Sequence, residues 1–323
     1  MQDRSVRALH SMPDPASIAR VVEADYDIGA TPRCAVWHRG FNDYFLVETD
    51  ERYLLRVYSP GKYWVSGTGD LDFELDLLAH LDASGVPVAA AITRREGGLR
   101  GEIDAPEGPR SIALFPFVEG GPPSADASTA AQVGELVARM HDAMDGFTSP
   151  HHRYSLDRSL LIDTSTAEIR DAAGDGYDEG LALLDRVGSL AADAIDALGT
   201  SPPAFGVIHA DLHMGNMIAS GDTITFLDFD HGGFGLRAYD LVPILRYEDM
   251  REPFLEAYRG TRSFGEEEVR AAPAMSAART IWDWGDVLKQ SDYLGGRGRY
   301  TAQAWTHLFD RLEEHEAELS ASG

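Results

Sequence analysis

The chain has 323 residues, with 28 Lys plus Arg against 53 Asp plus Glu and a formal charge of −25. At about 100–200 residues per domain this length predicts two domains or lobes, and 44% hydrophobic with 25% charged residues excludes a disordered chain. So negative a balance excludes nucleic acid as a partner, because phosphate backbones are held through Lys and Arg; it suits a cationic ligand, or solubility alone.

The N-terminal stretch MQDRSVRALHSMPDP has no apolar run of signal-peptide length. Nor does any later segment approach about 18 consecutive apolar residues, so no membrane partner and a cytoplasmic location are expected. The only cysteine, Cys34, excludes an internal disulfide and a multi-cysteine metal site, and reads as a buried apolar thiol. The first third of the chain predicts strands with one helix. Tyr44 to Glu48 and Tyr53 to Tyr58 are aromatic and β-branched around a polar Thr49-Asp50-Glu51-Arg52 turn, the pattern of a hairpin. Leu71, Glu74, Leu78 and Leu81 recur at helical spacing from about Asp70 to Ser84, with Gly85 as the stop. Pro87 to Ala91 and Ser111 to Val118 predict further strands.

Two glycines and two prolines in Glu119-Gly120-Gly121-Pro122-Pro123 mark a boundary, which divides a lobe at 1–118 from one at 119–323. Beyond it Thr129 with Gln132 predicts a capping box, and Val133, Leu136, Val137, Met140 and Met144 form one apolar stripe. Another helix is expected over Gly180 to Leu198. From Tyr239 to the end the pattern is helical again, with Trp282, Trp284 and Trp305 as packing anchors.

The densest polar constellation is Val207-Ile208-His209-Ala210-Asp211-Leu212-His213-Met214-Gly215-Asn216, followed by a short apolar run, Ser220-Gly221-Asp222, and Thr223 to Leu227 ending at Asp228-Phe229-Asp230. If the two runs pair about the turn, Asn216 and Asp228 meet at one end of a hairpin. That gathers an amide oxygen and the carboxylates of Asp228 and Asp230 where Asp211 also arrives. Hard oxygen donors of this kind suit Mg²⁺. Asp211 then remains to orient and deprotonate an attacking hydroxyl, the division of labour of phosphoryl transfer.

The run HADLHMGN, then FLDFD, then GLRAYDL resembles the aminoglycoside phosphotransferase, choline kinase and homoserine kinase superfamily. RVYSPGKYW, VPVAAAI and FPFVEGG are especially similar to homoserine kinase type II and the bacterial stress-response kinase A group. The resemblance implies an α+β, two-lobed protein-kinase-like fold, with a small strand-rich first lobe and a larger helical second one. It implies ATP and Mg²⁺ as cofactors, Asp211 as catalytic base, and Asn216 and Asp228 as metal ligands. His209 and Asp240 would brace the loop, and His213 would sit near the transferred phosphate. In the first lobe it implies a phosphate loop at Gly40, Phe41 and Asn42, and an adenine hinge at Phe117 and Val118. Glu74 would pair with the basic residue of the neighbouring strand. That position normally carries lysine and here is Arg56, whose planar fork replaces a compact charge. Lys62, after Pro60-Gly61, is expected in a loop.

Three rivals compete with this reading: an ordinary polar loop, a zinc hydrolase using His209, Asp211 and His213, and a nucleotide-binding pseudokinase. The glycines of Asp230-His231-Gly232-Gly233-Phe234-Gly235 predict a mobile loop with His231 in solvent, and Glu266 to Glu268 with Glu313-Glu314 predict solvated helix faces. By analogy with related phosphotransferases, Glu248, Asp249, Asp283 and Asp286 are candidates for contacting a substrate amine. Asp283 and Asp286 share one helix face beside Arg279 and Trp282. The expected activity is transfer of the ATP γ-phosphate to a hydroxyl of a small acceptor, such as an amino sugar, antibiotic, amino alcohol or homoserine-like metabolite. A Ser/Thr protein kinase of the stress-response type is the alternative.

Overall fold

The computed structural model describes residues 6, 8–29, 31–62, 65–293 and 301–322. They separate into two units, one of residues 1–120 with 149–152 and one of residues 121–148 with 153–323. Residues 294–300 of the expected C-terminal helical region, Tyr63 and Trp64 of RVYSPGKYW, and most of the first seven residues lie outside the described residues.

In the first unit the elements are α1 (Pro15–Asp25), β1 (Arg33–Arg39), β2 (Asp43–Glu48), β3 (Arg52–Val57), α2 (Thr68–Ala83), β4 (Gly101–Ala105) and β5 (Gly108–Pro116). The strands form one antiparallel sheet in the order β1-β2-β3-β5-β4. Side chains alternate across it. Phe45, Val47, Tyr53, Leu55 and Val57 pack with Ile18 and Val22 of α1 in one apolar cluster. The opposite face carries Arg56, which reaches Glu74 on α2. α2 starts where the Asp70 carboxylate accepts from the Ser66 and Gly67 amides at 2.8 and 3.2 Å, and it stops before Gly85, which adopts φ +75°. Two expectations fail here. The first third holds two helices, because Asp14 caps α1 through Ser17 N and Pro15 opens it. Pro87 to Ala91 forms no strand, and only Val88 makes a bridge. Cys34 is half-buried against the sheet cluster, and burial pushes its thiol up to about 11.

The second unit runs α3 (Ala127–Asp145), β6 (Ser155–Leu156), α4 (Ser165–Ala173), α5 (Asp178–Leu198), β7 (Phe205–Ile208), β8 (Met217–Ser220), β9 (Thr223–Phe226), β10 (Gly233–Leu236), α6 (Arg237–Leu245), α7 (Glu248–Thr261), α8 (Glu266–Arg270), α9 (Ala272–Tyr293) and α10 (Ala302–Ser322). The cap of α3 is Asp126, which accepts from Thr129 N at 2.9 Å. The Thr129–Gln132 box does not form, because the helix has already begun when it reaches Thr129. Val133, Val137, Met140 and Met144 of its apolar stripe are buried, Leu136 only partly. Trp282 and Trp305 are buried as expected, with Trp284 half-buried against Trp305. Of the stretch predicted as a mobile glycine loop, Gly233 to Gly235 instead lie in β10, paired antiparallel with β7 and parallel with β6. Gly233 permits that approach, since a Cβ there would stand 2.9 Å from the Tyr154 carbonyl oxygen. No described helix is long and apolar enough to cross a membrane.

Candidate active site

β8 and β9 pair antiparallel about Gly221-Asp222, with Met217 opposite Phe226. The ladder gains one more bond, from Leu227 N to Asn216 O at 2.9 Å, so Asn216 and Asp228 end the hairpin side by side. Asp228 takes a left-handed backbone, φ +61°, which short polar side chains tolerate best after glycine. Asn216 donates from Nδ2 to Asp211 O and Oδ2 at 2.9 and 3.0 Å. Those two bonds turn its Oδ1 acceptor away from Asp211.

Upstream, Ala210 also adopts a left-handed conformation, φ +66°, at a cost on the order of 1 kcal/mol. Asp240 of α6 holds this turn. Its carboxylate accepts from His209 N and Ala210 N at 2.7 Å each. His209 is buried, and its ring lies 4.3 Å from that of Phe229. Nδ1 faces the Asp211 amide at 3.3 Å, and Nε2 donates to the Leu227 carbonyl at 2.8 Å, a pairing that fits a neutral ring. His213 uses Nδ1 to accept from Gly215 N, and its Nε2 stands 3.6 Å from Asp211 Oδ2. Burial alone would raise the Asp211 carboxyl, but His213, His231 and the Arg279 guanidinium outweigh it and hold the group well below the usual carboxylate range.

These bonds remove one rival and correct one expectation. A zinc triad of His209, Asp211 and His213 does not form, since His209 bonds the backbone through Nε2, and no group of three such residues able to hold a metal occurs among the described residues. His231 is not a solvated loop residue. It lies 5.2 Å from Trp282 edge-on, with Nδ1 4.0 Å from Asp211 Oδ2. Asp230 is buried in the short 3₁₀ turn after Asp228, where its carbonyl accepts from Arg153.

In the first unit, Tyr44 pairs with Arg56 across β2 and β3. Arg56 and Glu74 form a buried ion pair at 2.6 Å, and the rings of Tyr44, Tyr58 and Phe115 surround the guanidinium at 5.1–5.5 Å. Lys62 is buried in its loop, 5.8 Å from the Tyr58 ring. Gly40, Phe41 and Asn42 join β1 to β2. Phe41 is exposed, and Asn42 is buried with its Oδ1 accepting from Ser59 N. Past β5, Phe117 donates its amide to Arg52 O, and its ring lies between Arg52 and Trp37. The Val118 backbone makes no hydrogen bond among the described residues.

The sequence model of the phosphotransferase enzyme family matches residues 37–275. The chain belongs to that family. This phosphotransferase is 31% identical to an uncharacterized protein of Synechocystis sp. strain PCC 6803, over 91% of this chain and 84% of that one. It is 30% identical to the homoserine kinase of Rhizobium etli strain CIAT 652, over 75% and 78%. A microcompartment-associated aminopropanol kinase superposes with a TM-score of 0.77 at 24% identity, over 95% of this chain and 98% of that one. An amicoumacin kinase in complex with AMP-PNP, Ca²⁺ and Ami superposes at 0.73 and 17% identity, over 95% and 94%. The fold is therefore the protein-kinase-like phosphotransferase fold, and the enzyme is a kinase with an alcohol group as acceptor.

Of the acidic residues suggested for an acceptor amine, one comes near the His209–Asn216 loop. Asp283 lies 3.8 Å from Arg279, with about half its side chain open to solvent. Partial desolvation, with Asp211 nearby and against the pull of Arg279, pushes its carboxyl up to about 6. Asp286 is buried, and Glu248 and Asp249 are exposed in the first turn of α7 with no bond to the loop among the described residues. Sequence reasoning missed the partners of the loop. Arg279 registers there only as a neighbour of Asp283, yet its side chain bonds Asp211 and the Ala210 carbonyl. His141 of α3 bonds Asp240 at 3.1 Å and Tyr258 at 2.8 Å, and no local spacing signals either contact.

Proposed function

We propose that this phosphotransferase moves the γ-phosphate of Mg²⁺-bound ATP to a hydroxyl of a small acceptor that also carries an amino group. The observation that carries the reading is the Asp211 carboxylate, set on a strained turn beside Asn216 at the open end of the β8–β9 hairpin. Asp211 Oδ2 receives the acceptor proton. The acceptor oxygen bonds the γ-phosphorus, the bond from that phosphorus to the bridging oxygen breaks, and ADP leaves with the electron pair. Asn216 Oδ1 and the Asp228 carboxylate are hard oxygens whose chemistry fits Mg²⁺, with the nucleotide phosphates and water completing the shell. Mg²⁺, when bound, neutralises phosphate charge. In the first unit Arg56, enclosed by three rings and paired with Glu74, braces α2 against β3, and the open backbone of Val118 suits adenine.

The amino group of the acceptor is supported by Asp283, which adds negative charge close to Asp211, and by the names of two similar proteins, the homoserine and aminopropanol kinases. A screen for ADP release over homoserine, 1-amino-2-propanol, amino sugars and a Ser/Thr peptide tests it, with mass spectrometry of the product. The expected result is a phosphorylated amino alcohol, hydroxy amino acid or amino sugar. Asp211→Asn should lower turnover about 100- to 10,000-fold while ATP still binds. Turnover confined to the peptide, or wild-type turnover in Asp211→Asn, would remove the reading.

A further inference from the structure

Asp211 is held from a direction that the loop motif does not specify. Arg279, on α9, donates from Nη1 to the Ala210 carbonyl at 3.2 Å and from Nη2 to Asp211 Oδ1. One planar guanidinium thus bonds two consecutive residues, the first of which carries the left-handed backbone. Asp240 takes the amides of His209 and Ala210, so Ala210 is fixed from outside the loop at both its amide and its carbonyl. The Arg279 side chain is itself enclosed, with 16% of its surface exposed, its guanidinium 5.6 Å over the Tyr239 ring and Asp283 3.8 Å from Nε.

We propose that Arg279 is a positioning residue of this phosphotransferase, which clamps the Ala210–Asp211 turn and leaves Asp211 Oδ2 as the oxygen that meets the acceptor hydroxyl. The proposal rests on Asp211 as the group that receives that hydroxyl. A carboxylate free to rotate about its last torsion presents either oxygen to the acceptor. Pinning Oδ1 to a guanidinium and Oδ2 to the Asn216 amide fixes the plane of the group. A misplacement of about 1 Å in such a group costs on the order of a hundredfold in rate. Reading of a substrate anion is the competing role for an arginine beside a base, and the enclosure argues against it. Both Nη groups already serve the loop, and Tyr239 and Asp283 flank the remainder.

Arg279→Met, Arg279→Ala and Arg279→Lys test this in the full chain at saturating Mg·ATP. Homoserine and 1-amino-2-propanol serve as acceptor probes, and water, through slow ADP release without any alcohol, serves as an acceptor that needs no identification. The expected result for Arg279→Met is a kcat lowered about a hundredfold or more, with KM for ATP and for the probe within about threefold of wild type. Arg279→Lys should recover little, since an ammonium does not span two oxygens in one plane. Added methylguanidinium should restore part of kcat in Arg279→Ala, an effect that a purely structural role would not produce. Wild-type kcat in Arg279→Met, or a loss confined to the KM of the probe, would overturn the proposal; if Arg279→Met and Arg279→Ala do not fold, wild-type kcat in Arg279→Lys does so. Asp211→Asn run in parallel separates the two readings: if it turns over normally the role of Asp211 falls, whereas normal Arg279 variants beside an inactive Asp211→Asn sink only the clamp.

Discussion

His141 and Asp240 meet at 3.1 Å with both side chains fully buried, and the same Asp240 carboxylate grips the amides of His209 and Ala210. Burial, with the charge of Arg237, pushes the His141 ring down to about 4 despite its carboxylate partner. The unfolded ring takes its proton near the ordinary value of about 6.5, well above the folded one. Stability from this group is therefore complete above about pH 6.5 and is lost as pH falls from there toward 4. Asp240, held low by His141 and the loop amides against the effect of burial, loses its share only below the usual carboxylate range. Asp283 works in the opposite sense, because its raised value favours the folded state as pH falls through about 6. Melting curves of wild type and His141→Gln between pH 7 and 4 isolate the histidine. The stability gap between them should narrow as pH drops, and a gap that stays constant would contradict the assignment.

Asp228 supplies a carboxylate from a left-handed residue. Asp228→Asn keeps the side-chain type that tolerates this backbone and removes the charge. Activity should fall at least a hundredfold and recover in part at high Mg²⁺, while the melting temperature stays within about 3 °C. Full activity at ordinary Mg²⁺ would exclude Asp228 as a metal ligand.

Arg56 and Glu74 are an ion pair without solvent around it. Removing one member leaves the other charge buried, so Arg56→Met should cost about 3 kcal/mol. The double variant Arg56→Met/Glu74→Leu should regain a substantial part of that loss, because both desolvated charges are gone. Denaturant titration of the four proteins measures the coupling, and strictly additive effects would show that the pair does not act as a unit.

Gly134 marks the crossing of α3 and α7. A Cβ at this position would drive into the Phe254 carbonyl of α7, which is main chain and has no side-chain freedom to yield. Gly134→Ala should therefore destabilise the protein by about 1–3 kcal/mol, against the gain that alanine brings in an unconstrained helix. A calorimetric melt that rises instead would mean the helices separate at no cost.

Much of this protein was legible in its residues taken locally. The hairpin that sets Asn216 beside Asp228 follows from alternation about a short turn, and α2 follows from leucines at helical spacing with Asp70 at its start and Gly85 at its end. Backbone hydrogen bonds and local periodicity act over a few residues, which a linear reading can count. The glycines of β10 signal freedom when taken alone, and close packing against Tyr154 only when β6 and β7 lie beside them. The partners of the His209–Asn216 loop are decided by tertiary packing. Arg279 stands 68 residues from Asp211, and His141 stands 99 from Asp240. A buried charge finds its counterpart through the way helices pack, and no spacing along the chain encodes that choice.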